Sequence, residues 1–185
     1  MITQGKLRYT QINETWFIIL SGDARFTLMS SLESLIKQAV NIPDSRIVID
    51  VSQVDNLDSA CLGILAKLHE HTLSSRPIML TCEDIDEMLR SIRFDIIFDL
   101  IKISDDKVTN NTYLDAAMNI SEHEMKRLYE LIQKELKPAP EFYVNDTAMK
   151  QLLLDAHKRL CTIDAKTQSI FQPVVDIMEA ELRNQ

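Results

Sequence analysis

The sequence is poor in glycine, cysteine and basic residues, and each shortage excludes a class of function. Only three glycines occur, Gly5, Gly22 and Gly63, and they lie far apart. Neither a G-x-G-x-x-G turn nor a G-x-x-x-x-G-K-[ST] loop can be written with them, so the usual backbone cradles for nucleotide phosphates are absent and no cofactor is expected. The three cysteines, Cys61, Cys82 and Cys161, are odd in number and form no C-x-x-C pair. That suits reduced thiols in a cytoplasm, not a disulfide framework or a zinc site. Lys and Arg number 20 against 28 Asp and Glu, a net charge of -8. A protein that displaces counterions from nucleic-acid phosphates needs the opposite balance. With no basic run in either half, neither nucleic acid nor an anionic membrane surface is an expected partner. Long apolar runs are missing too. The longest, Trp16-Phe-Ile-Ile-Leu20, is far short of the roughly 20 residues that span a bilayer. The N-terminus lacks the charged-then-apolar order of a signal peptide, so a soluble cytoplasmic location is expected.

What remains is an ordinary globular composition, 185 residues with 45% apolar side chains. That is enough to bury a core. Over residues 1–118 two periodicities alternate. Leu7, Tyr9 and Gln11 alternate in front of the apolar run 16–20, which predicts a hairpin. Leu28, Leu32, Leu35, Ile36, Ala39 and Val40 then recur at helical spacing until Pro43. Ile47-Val-Ile-Asp-Val51 reads as a core strand, residues 52–59 as a polar loop, and Leu62, Leu65, Leu68 and Thr72 as a second helix. A third strand (78–82), a short helix (Ile85, Met88, Leu89, Ile92), a last strand (100–103) and a fourth helix (113–118) complete the alternation. The fold class is α/β, a layered sheet with some parallel pairing.

Residues 119–185 read as an all-helical extension. Ile120-Ser-Glu-His-Glu-Met125 has the spacing of a capping box with a hydrophobic staple, and Pro138-Ala-Pro140 ends the helix it starts. A longer stripe follows, through Met149, Leu153, Ala156, Leu160, Ile163, Ile170, Val174, Ile177 and Leu182, with a kink or fresh start expected at Pro173. As one helix it would run about 55 Å at ~1.5 Å per residue, longer than the first domain is wide. The stripe therefore needs a folded-back helix or another chain, which leaves open homodimerisation or partner docking through this arm.

The sharpest local feature is Ile49-Asp-Val-Ser-Gln-Val-Asp-Asn-Leu-Asp-Ser-Ala-Cys-Leu-Gly63. A core strand empties into a stretch holding Asp50, Asp55 and Asp58, with Ser59 where the next helix begins. The plainest reading is that Asp58 or Ser59 caps that helix. Catalysis by Ser59 is not expected, because the surroundings are not G-x-S-x-G and His69 lies about 15 Å further along the helix. His69 and His71 point to different sides and are expected to be solvated. His157 and Cys161 are four apart and could share a zinc ion, but with no second ligand pair nearby they are expected to pack. The acidic residues Asp84, Asp86 and Glu87 lack the glycine and spacing of a calcium loop and are expected to favour the start of the third helix. No metal site is expected.

The same stretch resembles the signature of STAS domains, in particular the bacterial anti-sigma factor antagonists, whose strand and loop lead into Asp-Ser-Ser/Ala-Gly-Leu-Gly. The order of elements over residues 3–118 matches, including Leu20-Ser-Gly-Asp23 before the first long helix and the Asp115-Ala-Ala-Met ending. The match is direct at Asp58, Ser59, Leu62 and Gly63 and departs at Cys61, where the family has glycine. The resemblance implies a mixed β-sheet packed against helices. It also implies a non-enzymatic serine phospho-switch in a partner-switching pathway. Ser59 would be phosphorylated by an anti-sigma factor with serine kinase activity and reset by a serine phosphatase. The partner-binding surface would comprise Gly22, Asp23, Asp55, Asp58, Ser59 and Leu62, with Gly22 and Asp23 in a loop beside the acceptor. The alternative is a STAS scaffold or accessory subunit, in a sensory assembly or a lipid-transport complex, that binds partners without phosphorylation. The switch requires that Ser59 not be sealed in the core.

Overall fold

The computed structural model describes residues 3–71, 75–103 and 122–183. Its centre is a six-stranded mixed sheet in the order β5-β4-β3-β2-β1-β6. Strands β1 (Lys6–Ile12) and β2 (Thr15–Ala24) form an antiparallel hairpin; β2, β3 (Arg46–Leu57), β4 (Ile78–Thr81) and β5 (Asp99–Lys102) run parallel. Parallel neighbours require crossovers. Helices α1 (Met29–Val40), α2 (Ser59–Leu65, continued as a 3-10 turn to Glu70) and α3 (Glu83–Ser91) supply them.

Side-chain alternation explains why the central strands read as continuous apolar runs. Trp16, Ile18 and Leu20 of β2 join Ile47, Ile49 and Val51 of β3 in the main core beneath α1, α2 and α3. Their alternate neighbours Phe17 and Val48 face the other way, where they meet Leu80 and Ile132. Ile132 belongs to α4 (Glu122–Glu135), which lies on that second face. Both sides of the sheet are thus buried at its centre.

Three features differ from the sequence reading. The expected polar loop 52–59 is mostly strand, because β3 continues beside β2 as far as Leu57, paired with Ala24. Two register irregularities accommodate its polar residues, one between Gly22 and Asp23. Gly22 has a positive φ of 69°, and a Cβ there would lie 2.7 Å from the Gln4 carbonyl oxygen. Gly22 and Asp23 therefore sit in β2 and not in a loop. Second, the extension is not wholly helical: β6 (Lys137–Pro138) adds an antiparallel strand to β1, with Arg8 opposite Pro138. The boundary at residue 118 lies outside the described residues, and the chain beyond it shares both sheet and core with what precedes it.

Third, the long stripe is two helices, α5 (Asp146–Cys161) and α6 (Ala165–Arg183), and the break falls at Asp164 and not at Pro173. Asp164 and Thr167 cap each other reciprocally: the Thr167 N–H donates to Asp164 Oδ1 at 2.8 Å, and the Asp164 N–H to Thr167 Oγ1 at 3.0 Å. Pro173 lies inside α6, and Ser169, the residue one turn earlier whose carbonyl loses its partner, is exposed and open to water. The folded-back arrangement covers much of the apolar stripe, placing Ala156, Leu160, Ile163 and Phe171 in the main core. The expected helix over 113–118, the cap at Ser121 and Thr72 lie outside the described residues.

Candidate functional site

The C-terminal ends of β2 and β3 bring Gly22, Asp23, Asp55, Asp58 and Ser59 to one end of the sheet. Asp58 is the N-cap of α2, and both its carboxylate oxygens are engaged. Oδ1 accepts from the Cys61 N–H at 2.9 Å, and Oδ2 accepts from the Phe26 N–H at 2.7 Å. The capping role is thus Asp58's, and it also ties the start of α1's approach to α2. Asp23 pairs with Arg25 at 2.6 Å and accepts from Asn56 Nδ2 at 3.2 Å. Asp55 accepts from the Thr3 N–H at 3.2 Å. Leu62 is only 4% exposed and packs in the core, so a visiting protein cannot touch it in this arrangement. Cys61 fits where the resemblance would put glycine, its thiol buried and donating to the Arg25 carbonyl at 3.3 Å. Burial, with Asp58 adding to it, pushes that thiol far above the ordinary cysteine value, so it is inert.

Ser59, the first residue of α2, is partly buried, and what lies over it is α5. Its Oγ is 3.0 Å from His157 Nε2, and His157 Nδ1 is 2.8 Å from the Leu153 carbonyl oxygen. A carbonyl can only accept, so Nδ1 carries the proton, and in the neutral ring Nε2 accepts from the Ser59 hydroxyl. Phe171 of α6 backs the ring edge-on, with centroids 6.4 Å apart. One turn along α2, Gly63 lets the helices meet backbone to backbone: a Cβ there would fall 2.3 Å from the Ala156 carbonyl oxygen.

The sequence reading placed His157 among packing residues and sought a base for Ser59 only in His69, which is exposed. The available signal was its position on the α5 stripe, four residues after Leu153 and three before Leu160. A serine hydroxyl against an oriented imidazole has the polarity of a nucleophile and its base. Yet a backbone carbonyl replaces the orienting carboxylate, and the helix carrying the base is itself what covers the serine. Among the described residues no cluster of three His, Cys, Asp or Glu could hold a metal ion, and no helix is long and apolar enough to cross a membrane.

A cavity of about 120 Å³ lies on the opposite face, between the sheet and α4, lined by Phe17, Val48, Leu80 and Ile132 with Arg8 and Asp50 as its charged groups. Asp50 Oδ1 accepts from the Ser52 N–H and hydroxyl at 2.9 and 2.7 Å. Burial nevertheless holds this carboxyl above its ordinary value, against those hydrogen bonds and the Arg8 charge. A carboxyl that binds its proton more tightly when folded contributes stability that is full at acid pH and fades as pH rises through its native value. Asp50→Asn removes that loss, so its stability relative to the parent should improve from pH 4 to pH 7 in urea titrations. A constant difference across that range would contradict the assignment.

No family model matches the chain, and no curated protein matches it.

Proposed function

We propose that the protein is a STAS-type anti-sigma factor antagonist, a cytoplasmic, non-enzymatic phospho-switch with Ser59 as the acceptor. The observation that carries this reading is the position of Ser59. It opens α2 at the end of a core strand, held by the Asp58 cap, with its hydroxyl facing His157 of α5. In the cycle, the γ-phosphoryl of ATP passes to Ser59 Oγ as ADP leaves and the hydroxyl proton is lost. The partner is an anti-sigma factor with serine kinase activity, and a serine phosphatase restores the hydroxyl.

The physical lever is charge. A phosphate brings about -1.5 to -2 at neutral pH to a rim that already holds Asp23, Asp55 and Asp58. A carboxylate supplied by the partner about 4 Å away would be repelled by roughly 4 kcal/mol at an intermediate dielectric. About 2.7 kcal/mol is already a hundredfold in affinity. One phosphoryl group therefore suffices to release a partner.

The second reading, a scaffold or accessory subunit without phosphorylation, draws on the same contact, since the hydroxyl is covered by His157. Incubation with ATP and a candidate kinase partner, followed by mass-spectrometric mapping, separates the two. Phosphate at Ser59, with Ser59→Asp losing partner affinity at least tenfold and Ser59→Ala retaining it, is the expected result. Stable binding with no phosphate at Ser59 would replace the switch by the scaffold.

A further inference from the structure

We infer that the α5–α6 hairpin is a built-in competitor for the Ser59 face of α2. Docked, it shields the hydroxyl from other proteins, and a kinase or partner reaches Ser59 only when the hairpin leaves. The functional consequence rests on the reading of Ser59 as acceptor; the shielding itself does not.

Six observations carry it. The hydroxyl is occupied, 3.0 Å from an imidazole whose orientation is fixed by Leu153 on its own helix and Phe171 on the next. The approach of Gly63 to the Ala156 backbone leaves no space for a third chain between α2 and α5. The hairpin is a coherent unit, closed by the Asp164–Thr167 cap and by the Lys158–Glu179 pair at 2.7 Å. It is joined to the body by a strap whose residues 141–145 are all exposed, with Tyr143 at 90%. The strap is anchored where Ser31 donates to the Pro140 carbonyl at 2.7 Å. Among the described residues the polar ties between hairpin and body are few: besides the Ser59 contact, Arg93–Asp164 at 3.3 Å and Arg159–Glu70 at 3.5 Å, both partly solvated. Surface pairs of that kind contribute little. Among the described residues the buried Arg159 Nη1 atom finds no hydrogen-bond partner, a cost that undocking relieves.

Phosphorylation works against docking. The esterified Ser59 Oγ has no proton to donate, so modification removes its 3.0 Å hydrogen bond to His157 Nε2 and adds bulk beside α5. Modification therefore biases the hairpin outward.

The test needs no partner. In the full chain carrying Ser59→Cys, the rate of N-ethylmaleimide labelling at position 59 is followed by peptide mass mapping, with Cys82 as internal reference. The same is done with Ala156→Arg added and, should that variant fold poorly by circular dichroism, with Phe171→Ala instead. Labelling at position 59 is expected to be at least a hundredfold slower than in the urea-unfolded chain. It should rise at least tenfold in the hairpin variant while Cys82 is unchanged. Equal rates at position 59 with and without the hairpin substitution would overturn the shield. Incubating the parent and Ala156→Arg, both with Ser59 intact, with ATP and the candidate kinase tests the other reading separately. Faster phosphorylation of the hairpin variant supports both readings. No phosphate at Ser59 in either chain, with position 59 shielded, overturns the acceptor and not the shield.

Discussion

Gly63→Val should lower the stability of the chain by about 3 kcal/mol, at the upper end of what overpacking a close contact costs. The reason lies in what the added atoms meet. An added Cβ falls 2.3, 2.5 and 2.7 Å from the carbonyl oxygen, carbonyl carbon and Cα of Ala156. These are backbone atoms inside a helix, which cannot rotate aside as a side-chain tip can. The helices must separate, and Ala156 and Leu160, both fully buried now, lose their cover. Amide protection in α5 and α6 should fall first, because the hairpin is the element pushed away, while β2 and β3 keep theirs. For a chain of this size the melting temperature should drop by roughly 6–12 °C. One control separates this account from a simple volume effect. Shortening the opposing side chain, Ala156→Gly, should not rescue Gly63→Ala, since none of the three nearest atoms belongs to that side chain. Restoration of parental stability by that second substitution would sink the explanation.

That contact also shows where sequence reasoning stops. The sheet was legible because its strands obey period two on two buried faces: Ile47, Ile49 and Val51 on one side, Val48 on the other, which can only be read as a central strand. Leu32, Leu35, Ile36 and Ala39 gave α1 for the equivalent reason at period 3.6. The start of α2 was legible from Asp58 and Ser59, whose capping chemistry is local. What escaped depended on distant partners. Residues 52–57 look like a loop in isolation and become strand only because β2 continues beside them. Lys137 and Pro138 are too few to show any period, and their pairing is set by the edge of β1. Pro173 drew the expected break away from Asp164, although Asp164-Ala-Lys-Thr167 carries a local cap of its own. The meeting of Ser59 with His157 joins positions 98 residues apart, and nothing near either one announces the other.

A loss of similar size is expected from Lys67→Met, which leaves a buried carboxylate without its main counter-charge. Glu33 of α1 is 6% exposed, and its Oε1 receives both the Lys67 ammonium at 2.9 Å and the Lys37 ammonium at 3.0 Å. The two cations differ in kind. Lys67 sits 9% exposed on the 3-10 turn after α2, whereas the Lys37 side chain is 58% exposed and screened by water. Glu33 Oε2 is buried and has no hydrogen-bond partner among the described residues, so this carboxylate has little reserve of solvation. Burial pushes the carboxyl upward, but the hydrogen bonds and charges of Lys67 and Lys37 outweigh it, and its pKa lies below the ordinary 4.5. Breaking a buried pair from one side costs about 3–5 kcal/mol, and the surviving Lys37 contact favours the lower figure. Replacing both partners, as Glu33→Leu with Lys67→Met, removes the stranded charge and should recover most of that loss. The pH dependence carries the sign of the argument. In the parent, a depressed carboxyl pKa contributes stability that is complete above about pH 4.5 and fades as pH falls through the native value. In Lys67→Met the same carboxyl is held chiefly by burial, its native pKa rises, and acid then relieves the stranded charge. The deficit of the variant measured by urea unfolding should therefore be largest near pH 7 and smaller at pH 4. A Lys67→Met chain within about 0.5 kcal/mol of the parent at pH 7, the range of ordinary surface changes, would mean that Lys37 and water alone satisfy Glu33.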